Sequence, residues 1–321
     1  MRAAAAVRSR SRHDELIATL QADTYAEDLW PPPESITWSS DLLRRWFEAG
    51  GALTMESVLC EPPGAREARV DDIGADFPMR FLRPIERVGG ALAAAKCGDE
   101  GFFAELAAGI GRDGFAVTRL LGAGPDASVW ADICAEGAAL LPHMGPGATQ
   151  GTNGVSYGRS TSGAPRGDRF MFVSEATRTH GCPTLASLDA ALTRVGFALA
   201  DAVEQERRLG YTILRRNDGL FACFPGGEGS PGYGAHLDGD SHTCRLSMIA
   251  YFNPGWQAER DGGELCMLDE ASRCWRAVAP ESDTLVVFRS RDVLHKVAPT
   301  LRRRFALTAF WSIGNDSNRE R

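Results

Sequence analysis

The feature that most constrains the fold is a change of period near Gly210. Before it, apolar residues recur at helical spacing: Leu188, Leu192, Val195 and Leu199 form one stripe within Leu185–Leu209. After it come short runs of strand character at Tyr211–Arg215, Leu220–Phe224, Arg245–Phe252, Glu264–Leu268, Thr284–Phe288, Leu294–Val297 and Arg304–Ile313, separated by turns rich in Gly, Asp and Pro. Many short strands behind a helical layer predict an α+β, mainly β architecture. The form expected is a jelly roll, or double-stranded β-helix, supported by N-terminal helices.

The helical layer starts with Asp99–Ile110, where Phe102, Phe103, Leu106 and Ile110 share a side, and continues with Ala-rich Ser128–Leu141. Phe115–Leu121 between them alternates like a strand. Gly145–Gly167 holds seven glycines among Ser and Thr, which predicts a long flexible loop. Residues 1–98 are interrupted by Pro31-Pro32-Pro33 and Pro62-Pro63-Gly64, with a short helix expected at Asp41–Glu48 and a charged loop at Gly64–Asp76. The expected organisation is an extension of unassigned role over 1–98, a domain over 99–314 and a tail over 315–321.

Composition excludes some classes. With 35 basic and 42 acidic residues the net charge is −7, which disfavours nucleic acid as the main partner. The eight cysteines form no CxxC pair, so neither a zinc finger nor a disulfide scaffold is expected, and a cytoplasmic or nuclear chain with reduced thiols is. No apolar run reaches the roughly 18–20 residues that cross a bilayer, so no membrane partner is expected. Met1–Arg12 is Ala- and Arg-rich, but Asp14 and Glu15 follow and no secretory core is present, so it is taken as a basic tail.

The chemistry concentrates in three positions. His236-Leu237-Asp238 places an imidazole and a carboxylate two residues apart, on one face of an extended segment. His295 follows 57 residues after Asp238, and its neighbours Leu294 and Lys296 alternate away from it. Two imidazoles and a carboxylate can then converge inside a rolled sheet and leave positions open, as non-haem iron(II) oxygenases require. Zinc with an open position, in a hydrolase, uses the same ligand types. Arg304, nine residues after His295, opens an apolar strand and can lie beneath the metal. Its fork of donors suits a buried carboxylate, for which a hydrolase has no comparable need. Arg302 and Arg303 precede the strand and are expected in water.

Several segments in order resemble one family: Arg166-Gly-Asp-Arg169, Ala222-Cys-Phe-Pro-Gly226, Tyr233-Gly-Ala-His-Leu-Asp238, Tyr251-Phe-Asn253, Asp261-Gly-Gly-Glu-Leu265, His295-Lys-Val-Ala-Pro299 and Arg304-Phe-Ala-Leu-Thr308. The chain is similar to the prolyl 4-hydroxylase superfamily of 2-oxoglutarate oxygenases, most of all to the hypoxia-inducible-factor type. The resemblance spans about two thirds of the chain, from Gly101 to Gly314.

That resemblance implies that His236, Asp238 and His295 are catalytic and bind Fe(II). It implies that Arg304 pairs with the distal carboxylate of 2-oxoglutarate, with Tyr251 and Thr308 adding hydroxyl contacts. Phe224 stands where the family usually has a tyrosine, which predicts altered cosubstrate binding. Cosubstrates would be 2-oxoglutarate and O2, with ascorbate as reductant. The substrate would be a prolyl residue in a protein or peptide, possessing a hydroxyl at C4 after reaction, and the role would extend to oxygen sensing. Gly145–Gly167 would be a lid over the peptide, with Arg166 and Asp168 either anchoring its end or forming an exposed pair. Glu264 is expected to be solvated or ion-paired rather than a ligand. Hydroxylation of a free amino acid or other small molecule, a metallohydrolase, and a silent binding protein on the same fold remain the alternatives.

Overall fold

The computed structural model describes residues 77–85, 89–122, 127–151, 154–157, 166–173, 180–206, 213–238, 244–269 and 272–313. The expected helix Asp41–Glu48, the loop Gly64–Asp76, His13, Cys60, His242 and the tail 315–321 lie outside the described residues.

The chain runs through β1 (Met79–Leu82), α1 (Gly90–Cys97), α2 (Glu100–Asp113), β2 (Phe115–Arg119), α3 (Ala127–Leu140), β3 (Gly145–Pro146), β4 (Ala148–Gly151), β5 (Gly154–Tyr157), β6 (Arg169–Phe172) and α4 (Pro183–Glu206). It then continues through β7 (Ile213–Arg216), β8 (Leu220–Phe224), β9 (Tyr233–His236), β10 (Cys244–Tyr251), the helical turn α5 (Ala258–Asp261), β11 (Leu265–Asp269), β12 (Cys274–Val278), β13 (Thr284–Arg289), β14 (His295–Val297) and β15 (Arg304–Ile313). The larger sheet has the order β2-β13-β10-β15-β8-β6-β3, with β7 also on β15, and the smaller has β1-β12-β11-β14-β9. This is the jelly roll with helices on one side that the change of period predicts.

Local signals explain the helix ends. The Asp99 side chain accepts from Phe102 N at 3.0 Å and caps α2, and Gly114 stops it at φ 82°. At the start of α4, the Glu136 carboxylate reaches over from α3 and accepts from Thr184 N (3.0 Å) and Leu185 N (2.8 Å).

The period-2 rule sorts the large sheet's residues between two layers. Leu246, Met248 and Ala250 of β10, Leu285 and Val287 of β13, and Phe305, Leu307, Ala309 and Trp311 of β15 pack with the helices. Ile249 and Tyr251, Val286 and Phe288, and Ala306 face the other way and meet Leu265, Met267 and Val297 of the smaller sheet. These central strands are buried on both faces, which is why they read as near-continuous apolar runs. Each fully buried Leu or Phe contributes about 1.5–3 kcal/mol. A polar residue on the inward parity of such a strand is therefore costly unless the space between the sheets uses it. Arg304, Thr308, Ser247 and Tyr251 all have that parity.

The structure departs from two expectations and adds a strand that the sequence reading left out. β1 pairs in parallel with β12, and Ala91 and Ala94 of α1 join the helical core, so the packed unit begins before the expected boundary at 98/99. Within Gly145–Gly167, β3 pairs with β6 and β4–β5 form a hairpin, so this stretch is not one long loop; residues 158–165 lie outside the described residues. The added strand is β12, where Arg276 interrupts the apolar pattern and its charge is absorbed by Asp269 at 2.7 Å.

Candidate metal centre

Register brings the two histidines together. β9 and β14 are adjacent antiparallel strands, and His236 stands directly opposite His295, with ring centroids 4.2 Å apart. Asp238 follows two residues after His236 on the same side, while Leu237 turns to the opposite face and packs with Trp275 and Leu294. Asp238 Oδ1 lies 3.6 Å from His236 Nε2 and 3.6 Å from His295 Nε2. The three candidate ligand atoms all fall within 4.8 Å of one another.

The histidines' other nitrogens are committed. His236 Nδ1 lies 2.9 Å from Gly234 O, and His295 Nδ1 lies 3.0 Å from Val293 O. A carbonyl only accepts, so each Nδ1 carries a hydrogen, which leaves Nε2, facing Asp238, as the nitrogen available to a metal. Cation bonds of about 2.0–2.2 Å at right angles hold donors about 3 Å apart, so a small contraction of this cluster fits a divalent metal. Burial opposes the Asp238 charge, but the two imidazoles outweigh it and hold the carboxyl well below the usual range. Burial and the neighbouring His295 lower His236, whereas His295 is raised because Asp238 outweighs its burial. Asp238 Oδ2 accepts from Ser247 Oγ at 2.6 Å. Ser247 escaped the sequence reading; the only signal was a hydroxyl on the inward parity of an otherwise apolar strand.

Arg304 is 2% exposed at the start of β15. Its Nε donates to Gly263 O at 2.8 Å and its Nη2 to the Tyr251 hydroxyl at 3.1 Å. Its guanidinium carbon lies 5.1 Å from the Phe224 ring centroid and 4.8 Å from that of Tyr251. Among the described residues no Asp or Glu approaches Arg304 within ion-pair distance. Thr308 is buried four residues along the same face. Tyr251 sits opposite Ala306 and Phe224 opposite Arg304, so all four candidate cosubstrate residues gather on one inner wall.

Nearby expectations need correction. Arg302 is only half exposed: it donates to Pro254 O (3.0 Å) and Gly255 O (3.2 Å) and lies over Trp256, while Arg303 is exposed as expected. Glu264 is buried rather than solvated, and burial raises its carboxyl. Arg166 and Asp168 are not an exposed pair. Arg166 Nε and Nη2 grip Asp168 at 2.6 and 2.8 Å, with the side chains 10% and 3% exposed. Arg166 Nη1 donates to the Tyr233 hydroxyl at 3.0 Å, and the Tyr233 ring stacks on His236 at 3.8 Å. The sequence placed Tyr233 in a motif without giving it a role.

Residues 221–312 match the family model of the 2OG-Fe(II) oxygenase superfamily, and this stretch contains the three clustered ligands and the buried arginine. That segment is similar to a 2OG-Fe(II) oxygenase domain. Two solved structures share the fold. A prolyl hydroxylase from Trichoplax adhaerens, in complex with a peptide fragment of the hypoxia inducible factor oxygen degradation domain, is 21% identical, with 69% of this chain and 93% of that chain covered and a TM-score of 0.56. A Pseudomonas putida prolyl-4-hydroxylase is 23% identical, with 66% and 99% covered and a TM-score of 0.51. No curated protein matches the chain. The oxygenase family implies Fe(II) and 2-oxoglutarate, and the donor set at His236, Asp238 and His295 suits that metal. Among the described residues no helix is long and apolar enough to cross a membrane.

Proposed function

We propose that this chain is an Fe(II)- and 2-oxoglutarate-dependent dioxygenase that hydroxylates a prolyl residue in a protein or peptide. The observation that carries the dioxygenase part is Arg304, a buried guanidinium with no carboxylate partner among the described residues, on the inner wall shared with Tyr251 and Phe224. A charge buried without a counter-ion is costly. A dicarboxylic acid that spans from the metal to Arg304 would relieve that cost, and a zinc hydrolase offers no such anion.

His236, Asp238 and His295 would hold Fe(II); Arg304, Tyr251 and Thr308 would hold the distal carboxylate. When bound, the metal and cosubstrate supply the oxidation: a substrate C–H, 2-oxoglutarate and O2 become C–OH, succinate and CO2. The chain's residues do the positioning. The Arg304 fork and the Tyr251 hydroxyl fix the far end of the acid, the Phe224 ring covers the guanidinium, and the apolar layer around Ile249, Met267 and Phe288 excludes water.

The prolyl part draws on the ordered motif set and on the prolyl hydroxylases that share the fold. It also draws on the Tyr233 ring, which lies between the Arg166 guanidinium and His236 and so borders the metal, where its edge would meet a pyrrolidine. Ascorbate would serve as reductant and the reaction would place the hydroxyl at C4. Oxygen sensing is part of the proposal and requires an apparent KM for O2 at or above ambient tissue or culture levels. The test is succinate formation with Fe(II), 2-oxoglutarate, ascorbate and proline-containing peptides, with mass spectrometry of the peptide. Prolyl addition of one oxygen supports the reading. Turnover only with free amino acids overturns its peptide part, and 2-oxoglutarate-independent hydrolysis overturns it entirely.

A further inference from the structure

Behind Asp238 runs a chain of polar side chains that the apolar surroundings do not require. Ser247 Oγ donates to Asp238 Oδ2 at 2.6 Å, Ser247 Oγ and Ser290 Oγ are 2.9 Å apart, and the Cys244 thiol donates to Ser290 Oγ at 3.4 Å. Ser247 and Ser290 are both 0% exposed, and Cys244 is 5% exposed. The elements are held independently of the metal ligands: Ser247 lies within the β10–β13 and β10–β15 ladders, and Ser290 N donates to Arg245 O at 3.0 Å.

The direction of this chain is fixed. An ionised carboxylate only accepts, so the single Ser247 proton goes to Asp238. The proton between the two serines then belongs to Ser290, whose oxygen accepts from Cys244. Burial pushes the Cys244 thiol up to about 12, so it keeps the proton it donates. Every hydroxyl gives one hydrogen bond and accepts one, and all of them point toward the carboxylate.

We propose that Ser247, backed by Ser290, is a positioning residue that confines Asp238 to single-oxygen coordination of the metal. This rests on the oxygenase reading above. Oδ1 faces both His Nε2 atoms, while Oδ2 is occupied by Ser247. With Oδ2 held, Asp238 contributes one ligand atom, and three donors leave half of an octahedral shell for a bidentate 2-oxo acid and O2. Without the hydroxyl, Oδ2 is free to compete for one of those places, and the carboxylate loses its fixed orientation.

The experiment uses the full chain, stripped with EDTA and titrated with Mn(II), with Co(II) visible absorption as a second readout. Ser247→Ala should weaken Mn(II) binding by about 10–100-fold, the range for lost partners of metal ligands, and should alter the Co(II) spectrum. Ser247→Thr, which keeps the hydroxyl, should bind within a few-fold of the unmodified chain. Ser290→Ala should weaken binding severalfold. If Ser247→Ala binds Mn(II) as tightly as the unmodified chain with the same Co(II) spectrum, the proposal fails. Should that variant lose its fold by circular dichroism, Ser290→Ala carries the test, and unchanged Mn(II) binding there overturns the proposal. Metal binding is measured without turnover, so the two ideas separate. Weakened binding in a chain that never consumes 2-oxoglutarate leaves the Ser247 role standing and removes the oxygenase; unchanged binding beside normal turnover does the reverse.

Discussion

Arg304 Nη2 donates to the Tyr251 hydroxyl at 3.1 Å while Arg304 Nε donates to Gly263 O at 2.8 Å, so the guanidinium plane is fixed by the protein itself. A fork held this way meets a carboxylate with little ordering left to do. Arg304→Ala should raise the KM for 2-oxoglutarate strongly, since truncating one side of a buried charged pair costs about 2–5 kcal/mol. Tyr251→Phe removes a hydrogen bond to a charged group but leaves the arginine in place, and should cost less, about 1.5–3 kcal/mol. Mn(II) binding should stay unchanged in both. Steady-state kinetics with varied 2-oxoglutarate checks the order; an Arg304→Ala enzyme with an ordinary KM would remove the anion role.

Phe224 faces Arg304 across the β8–β15 ladder, with the guanidinium 5.1 Å from its ring centroid. A hydroxyl added there enters a wall that already carries the Tyr251 hydroxyl. Phe224→Tyr should therefore lower the KM for 2-oxoglutarate with kcat little altered. A KM that does not move would show that the ring acts only as packing.

The two-sheet architecture was legible because its central strands are buried on both sides, and double burial leaves an apolar signature at Leu220–Phe224, Arg245–Phe252 and Arg304–Ile313. The metal cluster was legible because ligand chemistry needs specific residue types: no other pair of positions in the strand region offers His-x-Asp followed by a strand histidine. What escaped depends on contacts between distant segments. β12 carries Arg276, and only its pairing with Asp269 makes that strand intelligible. Ser247 looks like any strand serine until its inward parity places it on Asp238. The Arg166–Asp168 pair could be surface or interior from sequence alone, because nothing local states that Tyr233 and Gly147 close over it.

Asp261 opens the Gly-Gly turn near Arg304 and is 4% exposed. Arg260 grips its two oxygens at 2.6 and 2.7 Å, and Gln257 N donates to it at 3.0 Å. The Arg260 fork, with the Gln257 amide adding to it against burial, holds this carboxyl at about 2, below the ordinary 3.8. A depressed carboxyl contributes stability above its unfolded value and loses it as pH falls through its folded value. That contribution is therefore intact above pH 3.8 and disappears as pH falls toward about 2. Asp261→Asn should lower the urea midpoint at neutral pH and shrink the further loss seen between these two limits. Parallel acid limbs for the two proteins would contradict the assignment.

Arg166 joins three things: its fork holds Asp168, its Nη1 holds the Tyr233 hydroxyl, and Tyr233 stacks on His236. Asp168 in turn accepts from Gly147 N through its backbone carbonyl at 2.7 Å, beside a glycine where any Cβ would strike the pair. Lysine keeps the charge but cannot grip two oxygens and a hydroxyl at once. Arg166→Lys should therefore loosen the Tyr233 ring and raise the KM for a prolyl peptide by about tenfold, the equivalent of about 1.4 kcal/mol. The KM for 2-oxoglutarate and Mn(II) binding should hold, because Arg304 and the ligands are untouched. Arg166→Ala goes further: it leaves Asp168 buried without its cation, at a cost of about 3–5 kcal/mol, and should lower the melting temperature as well. Equal peptide KM values for the unmodified and Arg166→Lys enzymes would reduce Arg166 to a structural clamp, with no part in holding the substrate.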